Sequence, residues 1–193
     1  MTTSTKREAQ AQERRNQLID VARRLFAEKG MERTSIRDIA DAAGVAPGLI
    51  YHYFENKDAL FWAIIERHNP LAEMTALFAQ AETLPVREFM LLAATRGYAL
   101  MGERQDLLRI VFHEALSRPE MLQRIRVLQQ MGIALLVGYL NGRIAAGELR
   151  PHNAEATARM LVGSILALRL TGAPAEPYIT DIIDNLLCGV AAP

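Results

Sequence analysis

Between Thr34 and Lys57 the chain reads TSIRDIADAAGVAPGLIYHYFENK, and this stretch restricts the possible folds more than any other. Ile36, Ile39, Ala40 and Ala43 fall at i, i+3, i+4 and i+7, the apolar stripe of a short helix that Thr34 or Ser35 can N-cap. Gly44 follows where the backbone needs a left-handed residue to leave that helix sharply, and Val45 fills the corner. Pro47 suits the first position of a second short helix, because its ring pre-sets the helical dihedral where an N–H has no partner anyway. Ile50 and Phe54 give that second helix a buried side and leave Leu49, Tyr51, His52 and Tyr53 around the rest. Helix, glycine turn, helix is the geometry with which proteins lay a second helix in the major groove of DNA.

The aromatic residues sharpen this reading. A helix pair hidden inside a protein has no use for phenols on its second helix, whereas the hydroxyls of Tyr51 and Tyr53 suit phosphate oxygens, which fix register on a duplex. Asn56 caps a further helix with Lys57 in its first turn, where free N–H groups and the positive helix end favour another phosphate. Leu49 on the groove-facing side matches a thymine methyl, which proteins read by apolar contact. Arg37 is suited to a guanine or a phosphate, with plain solvated surface as the competing reading. Thr34, Ser35, Ala46, Pro47, Gly48 and His52 complete the expected DNA-facing set. The alternative for Tyr51 to Phe54, a core aromatic cluster, is at odds with the turn chemistry on either side.

Three motifs lie in sequence around this stretch. Ala22, Leu25, Phe26 and Gly30 form A-x-x-L-F-x-x-x-G, Thr34 to Val45 form T-S-x-x-x-I-A-x-x-A-G-V, and Tyr51 to Lys57 form Y-x-Y-F-x-x-K. Taken together, the segment from Arg15 to Ile65 resembles the N-terminal domain of the TetR family of bacterial transcriptional regulators. The resemblance implies an all-α fold of nine helices, with a three-helix DNA-binding domain and a larger helical domain for ligand binding and dimerisation. It also implies a homodimer on palindromic operator DNA, a small-molecule effector, and no enzymatic activity. Two positions depart from the common pattern. Ala46 stands where serine often caps the second helix, so Pro47 alone sets that start, and Leu49 replaces a small residue. Further on, LLRIVFHEALSRPEMLQ (107–123) resembles a segment in one group of the family's C-terminal domains without naming a ligand.

Charge is uneven although the formal net charge is zero. From Met1 to Arg37 nine basic residues face five acidic ones, a modest basic end that suits a defined DNA surface rather than bulk attraction. With a single cysteine, Cys188, an internal disulfide is excluded, and a cytoplasmic setting is expected. Cys188 itself reads as core. The polar start MTTSTKREAQAQ is unlike a signal peptide, and no run reaches the roughly twenty apolar residues of a membrane span.

The domain division expected is 1–57 for DNA binding, with 1–12 as a disordered arm, and 58–193 for ligand binding and dimerisation. The fourth helix starts at Asn56, and Pro70 should kink or end it. Helices follow near 85–101, 104–116, 119–146, 153–171 and 177–189. The last two are apolar on two sides, so one side must bury against something else. Ala156, Met160, Gly163 and Ala167, with Ile179, Ile182, Ile183 and Leu186, form the expected dimer interface, a four-helix bundle across a two-fold axis. A wholly internal pair in a monomer is the competing reading.

Met74, Phe78, Met90, Tyr98, Met101, Phe112, His113, Leu116, Met131 and Met160 are the expected effector pocket, since methionine adapts to irregular cavities, although such a set is equally plain core. The four histidines have no metal-ligand spacing, and no nucleophile motif, phosphate loop or catalytic carboxylate pair is present, so no cofactor or metal is expected. The function expected is a homodimeric repressor released by a small, largely apolar ligand. An activator, a constitutive DNA-binding factor, or a helical binding protein without operator function are the alternatives.

Overall fold

In the computed structural model the backbone is described for residues 2–190; the side chains of 2–5, Leu116, Ser117, Glu120, Pro177 and Val190 fall outside the described set. The described residues form α1 (Thr2–Lys29), α2 (Ile36–Ala43), α3 (Pro47–Tyr53), α4 (Lys57–His68), α5 (Leu71–Phe78), a 3-10 turn (Ala81–Thr83), α6 (Val86–Glu103), α7 (Gln105–Ser117), α8 (Pro119–Ala145), α9 (Ala154–Thr171) and α10 (Ala175–Val190). This is the all-α architecture expected, with one helix more than the nine counted. The addition is α5, because Pro70 ends α4 outright: Asn69 is extended (φ −65°, ψ 124°) and a new helix opens at Leu71. At the other end α10 carries a non-helical Glu176 just before Pro177, where the last helix was expected to begin.

The arm expected over 1–12 is corrected, since α1 is helical from Thr2. Ala9, Gln10, Ala11, Gln12, Glu13 and Arg14 are all strong helix formers, and side-chain bonds such as Gln12 Nε2 to Asn16 Oδ1 (3.0 Å) support the exposed turns.

The chain divides into two compact units. The first runs to Asn69 and takes in Gln105–Met121; the second comprises Pro70–Arg104 and the chain from Leu122 onward. The boundary drawn at residue 57 therefore falls inside the first unit. The reason is burial: Leu60, Phe61 and Ile64 of α4 are wholly enclosed with Leu18, Ile19 and Ala22 of α1, Ile39 of α2 and Ile50 of α3. α7 also packs on α1, with Ile110 buried and Arg23 paired to Asp106 at 3.1 Å.

In the second unit α6, α9 and α10 pack pairwise around Met90, Ala94, Ala158, Leu161, Ile165, Ile179 and Ile183, to which α8 contributes Leu136 and Leu140. Among the described residues no helix is long and apolar enough to cross a membrane.

Candidate nucleic-acid interface

Local chemistry builds the corner between α2 and α3. Ser35 caps α2, accepting from the Asp38 N–H (3.1 Å) while Asp38 Oδ2 accepts from the Ser35 N–H (2.7 Å). This reciprocal box was readable as S-x-x-D, and it holds the Asp38 carboxyl below its ordinary pKa, chiefly through the Ser35 hydroxyl. Gly44 adopts φ 66°, ψ 37°, and its N–H returns to Ala40 and Asp41. α3 then opens on Pro47 with no side-chain cap from Ala46.

Behind α3, Ile50 is fully buried and Phe54 nearly so, and the Arg15 guanidinium sits 5.1 Å from the centre of the Phe54 ring. In front, Ala46, Pro47, Gly48, Tyr51 and His52 are exposed, Leu49 and Tyr53 half-buried, and Tyr53 meets His52 edge-to-face at 5.0 Å. Arg37 is exposed on the neighbouring helix. A short helix pinned by one face and bare on the other can enter a groove without repacking its own domain.

Two expected contacts are corrected. Thr34 is fully buried; its hydroxyl donates to Gly30 O (2.8 Å), tying α1 to the start of α2 rather than reaching outward. Lys57 is spent inside the chain. Its Nζ donates to Met31 O (2.7 Å) and Thr34 O (3.1 Å) and lies 3.5 Å from Glu32 O, so the ammonium shapes the 31–34 loop instead of standing free for a phosphate. Replacing it strands partly buried carbonyls. Lys57→Met is therefore expected to lower stability by about 1–3 kcal/mol in a denaturant melt. An unchanged melt with weakened DNA binding would return Lys57 to the phosphate role. Asn56 caps α4 as expected, accepting from Ala59 N–H at 2.8 Å.

The sequence offered no signal for the ion pair beside this corner. Arg118, sixty residues downstream of Asp58, grips that carboxylate with two bonds of 2.9 Å and holds its pKa below the usual range. At the other end of α4, burial pushes the His68 pKa below 6.5, helped by the Arg23 charge and opposed by Asp20. His68 Nε2 lies 3.3 Å from Asp20 Oδ1. The folded state thus resists protonating His68, so its stability contribution is full above pH 6.5 and declines as pH falls toward the lowered folded pKa. His68→Asn is expected to flatten the stability profile on the acid side of 6.5; a profile identical to wild type would exclude this source.

The residues of the expected effector set fall in both units. Phe112 and His113 belong to the first unit, the Leu116 side chain lies outside the described residues, and His113 is exposed beside the buried Glu114 at 3.1 Å. In the second unit Met90 is solid core, Met131 and Met160 are exposed, and Met74 and Met101 are half-buried. The Tyr98 hydroxyl bonds Ala173 O at 3.3 Å. Phe78 alone lines the cleft found there, about 530 Å3 in volume, together with Ala81, Glu82, Tyr139, Arg143 and Glu148. Tyr139 and Arg143 stand four apart on α8 among small residues, a signal the methionine pattern obscured.

The dimer set divides. On α9, Ala156, Met160, Gly163 and Ala167 are exposed, and Leu170 extends them into one stripe. On α10, Ile179 and Ile183 are corrected to subunit core, at 2% and 0% exposure, with Ile182 and Leu186 half-buried against the same core. The outward stripe of α10 is Tyr178, Asp181, Asn185 and Cys188, which also corrects Cys188 from core to exposed.

Such a pinned and outward-bare helix-turn-helix defines a double-helix reader. Residues 18–64 match the family model described as bacterial regulatory proteins of the tetR family. The chain belongs to the TetR family of bacterial transcriptional regulators. It is similar to the HTH-type transcriptional regulator AcrR of Shigella flexneri, 35% identical over 134 residues, covering 67% of this chain and 60% of that protein. A probable acrEF/envCD operon repressor of Escherichia coli K12 is 34% identical over 128 residues, covering 64% of this chain and 58% of the relative. The matched region thus spans about 60% of these relatives' length. Salmonella enterica GusR shares the fold at TM-score 0.76 and 23% identity, over 91% of this chain and 94% of that one.

Proposed function

We propose that this protein is a cytoplasmic, homodimeric repressor that binds palindromic operator DNA and is released by a small-molecule effector. The observation that carries the reading is the two-sided α3: Ile50 and Phe54 closed behind, Tyr51 and His52 open in front with Leu49 half-buried beside them. Phosphate contacts from Tyr51 and Tyr53 would set register, and Leu49 would discriminate at a thymine. Similarity to proteins named as repressors supports repression over activation.

The exposed stripe on α9 supports dimerisation. A monomer gains nothing by leaving Met160 68% and Leu170 58% exposed along one helix face. A second copy related by two-fold symmetry would cover both stripes at once. Control by an effector would act through the second unit, which the chain enters or leaves after Asn69, Arg104 and Met121. Effector and operator must then weaken each other's binding by the same factor, typically a several-fold to hundredfold change.

The base-reading role is tested by titrating Leu49→Ala against duplexes that each differ at one base pair. Changed preference at one step per half-site is expected, at about 1–3 kcal/mol for that step. A uniform loss over all duplexes would mean that Leu49 reads no base.

A further inference from the structure

The corner of α2 and α3 is short of positive charge for a surface that meets DNA. α3, PGLIYHY, has no lysine or arginine, and α2, IRDIADAA, sets one arginine against two aspartates. The charged groups around α3 are Arg37, Asp38 and Asp41 of α2, Arg15 of α1, Glu55 just after α3, and Lys57 and Asp58 in the first turn of α4, beside the phenols of Tyr51 and Tyr53. Four of these charges are spent. Arg15 lies over the Phe54 ring, Asp38 closes the cap with Ser35, Lys57 holds the carbonyls of the 31–34 loop, and Asp58 holds Arg118. Arg37, Asp41 and Glu55 are exposed, and among the described residues their side chains have neither hydrogen bond nor ion pair. One free cation against two free anions is a poor balance where affinity grows with each phosphate neutralised.

His52 can change that balance. It is exposed in the last turn of α3, on the open side. Its ring meets Tyr53 edge-to-face at 5.0 Å, and among the described residues its nitrogens have neither hydrogen bond nor ion pair. Imidazole is the side chain that gains or loses a charge between about pH 5 and 8. When protonated, both ring nitrogens donate, which suits a phosphate oxygen, and the free charges of the corner become two against two. When neutral, it leaves the corner with an excess of negative charge. No other residue of α3 can supply a cation.

We infer that His52 is a proton-dependent phosphate contact, so that the protein holds its operator more tightly as the pH falls through the range in which imidazole becomes charged. The inference rests on the DNA-reading function above and adds its regulation by pH. By linkage, operator binding takes up protons, as many as one for each subunit.

The test titrates the intact protein against a duplex that it has enriched from random sequence, by fluorescence anisotropy between pH 6 and 8 at constant ionic strength. Circular dichroism checks the fold at each pH, because His68 lowers stability in the acid direction. Affinity at pH 6 should exceed that at pH 8 by roughly two- to twenty-five-fold, the range for two exposed charge pairs. The salt slope should be steeper at pH 6 by up to about two, one phosphate for each subunit. His52→Gln should lose the gain at pH 6. His52→Lys should keep the tighter binding at both pH values, a rescue by charge that a merely structural role would not give. A wild-type affinity that is flat or rises with pH, or a His52→Gln protein with the wild-type profile, would overturn the inference. Equal salt slopes at pH 6 and 8 would overturn the phosphate contact. If no duplex is bound at any pH, the DNA-reading function falls and this inference with it, whereas binding without pH dependence leaves that function standing and removes the inference alone.

Discussion

Met160→Glu is expected to convert the protein from a dimer to a monomer and to lower its affinity for a two-half-site operator by roughly 10²–10⁴. The size follows from linkage: once one recognition helix is seated, the partner's helix binds as an intramolecular event, and a monomer forfeits that gain. Met160 is 68% exposed in the single subunit, so the change removes nothing from the core. It sets like charges against each other across the two-fold axis, in the middle of the stripe from Ala156 to Leu170. Sedimentation should report the monomer at micromolar concentration, with affinity for an isolated half-site unchanged. A Met160→Glu protein that remains dimeric would move the interface elsewhere, the outward face of α8 being the next candidate.

The second large effect belongs to the hidden side of α3. Ile50→Ala deletes a fully buried side chain and is expected to cost about 2–5 kcal/mol of stability, with operator binding lost as the domain loosens. Leu49→Ala, one residue earlier and only half-buried, should cost about 1 kcal/mol or less, well below Ile50→Ala. Melting the two variants side by side separates the structural face from the reading face. Equal destabilisation by both would mean that Leu49 packs inward and reads nothing.

The corner itself was legible in the sequence because its determinants are local. Gly44 needs its left-handed turn, Pro47 its fixed dihedral and Asn56 its cap, and each lies within four residues of the groups it serves. Two neighbouring assignments failed where a long side chain or a hydroxyl could turn either way. Lys57 and Thr34 have the residue types of a phosphate contact, yet both point back to carbonyls of the 29–34 turn, a choice made by tertiary packing. The ion pair of Arg118 with Asp58 has no periodicity to reveal it, and the grouping of α7 with the first unit is a matter of long-range contact. On α10 the period of the isoleucines was right and the side was wrong. Ile179 and Ile183 repeat as a buried row, and a helix with apolar residues all round does not say in sequence which row faces its own core.

The central claim is that two copies of α3 read an inverted repeat. The direct measurement is a selection from random-sequence duplexes with the wild-type protein, followed by the stoichiometry of binding to the enriched sequence. The account predicts enrichment of an inverted repeat whose half-site centres lie one helical turn of DNA, or a multiple of it, apart, with two subunits bound per site. Enrichment of a single asymmetric site bound by one subunit, or no enrichment at all, would contradict it.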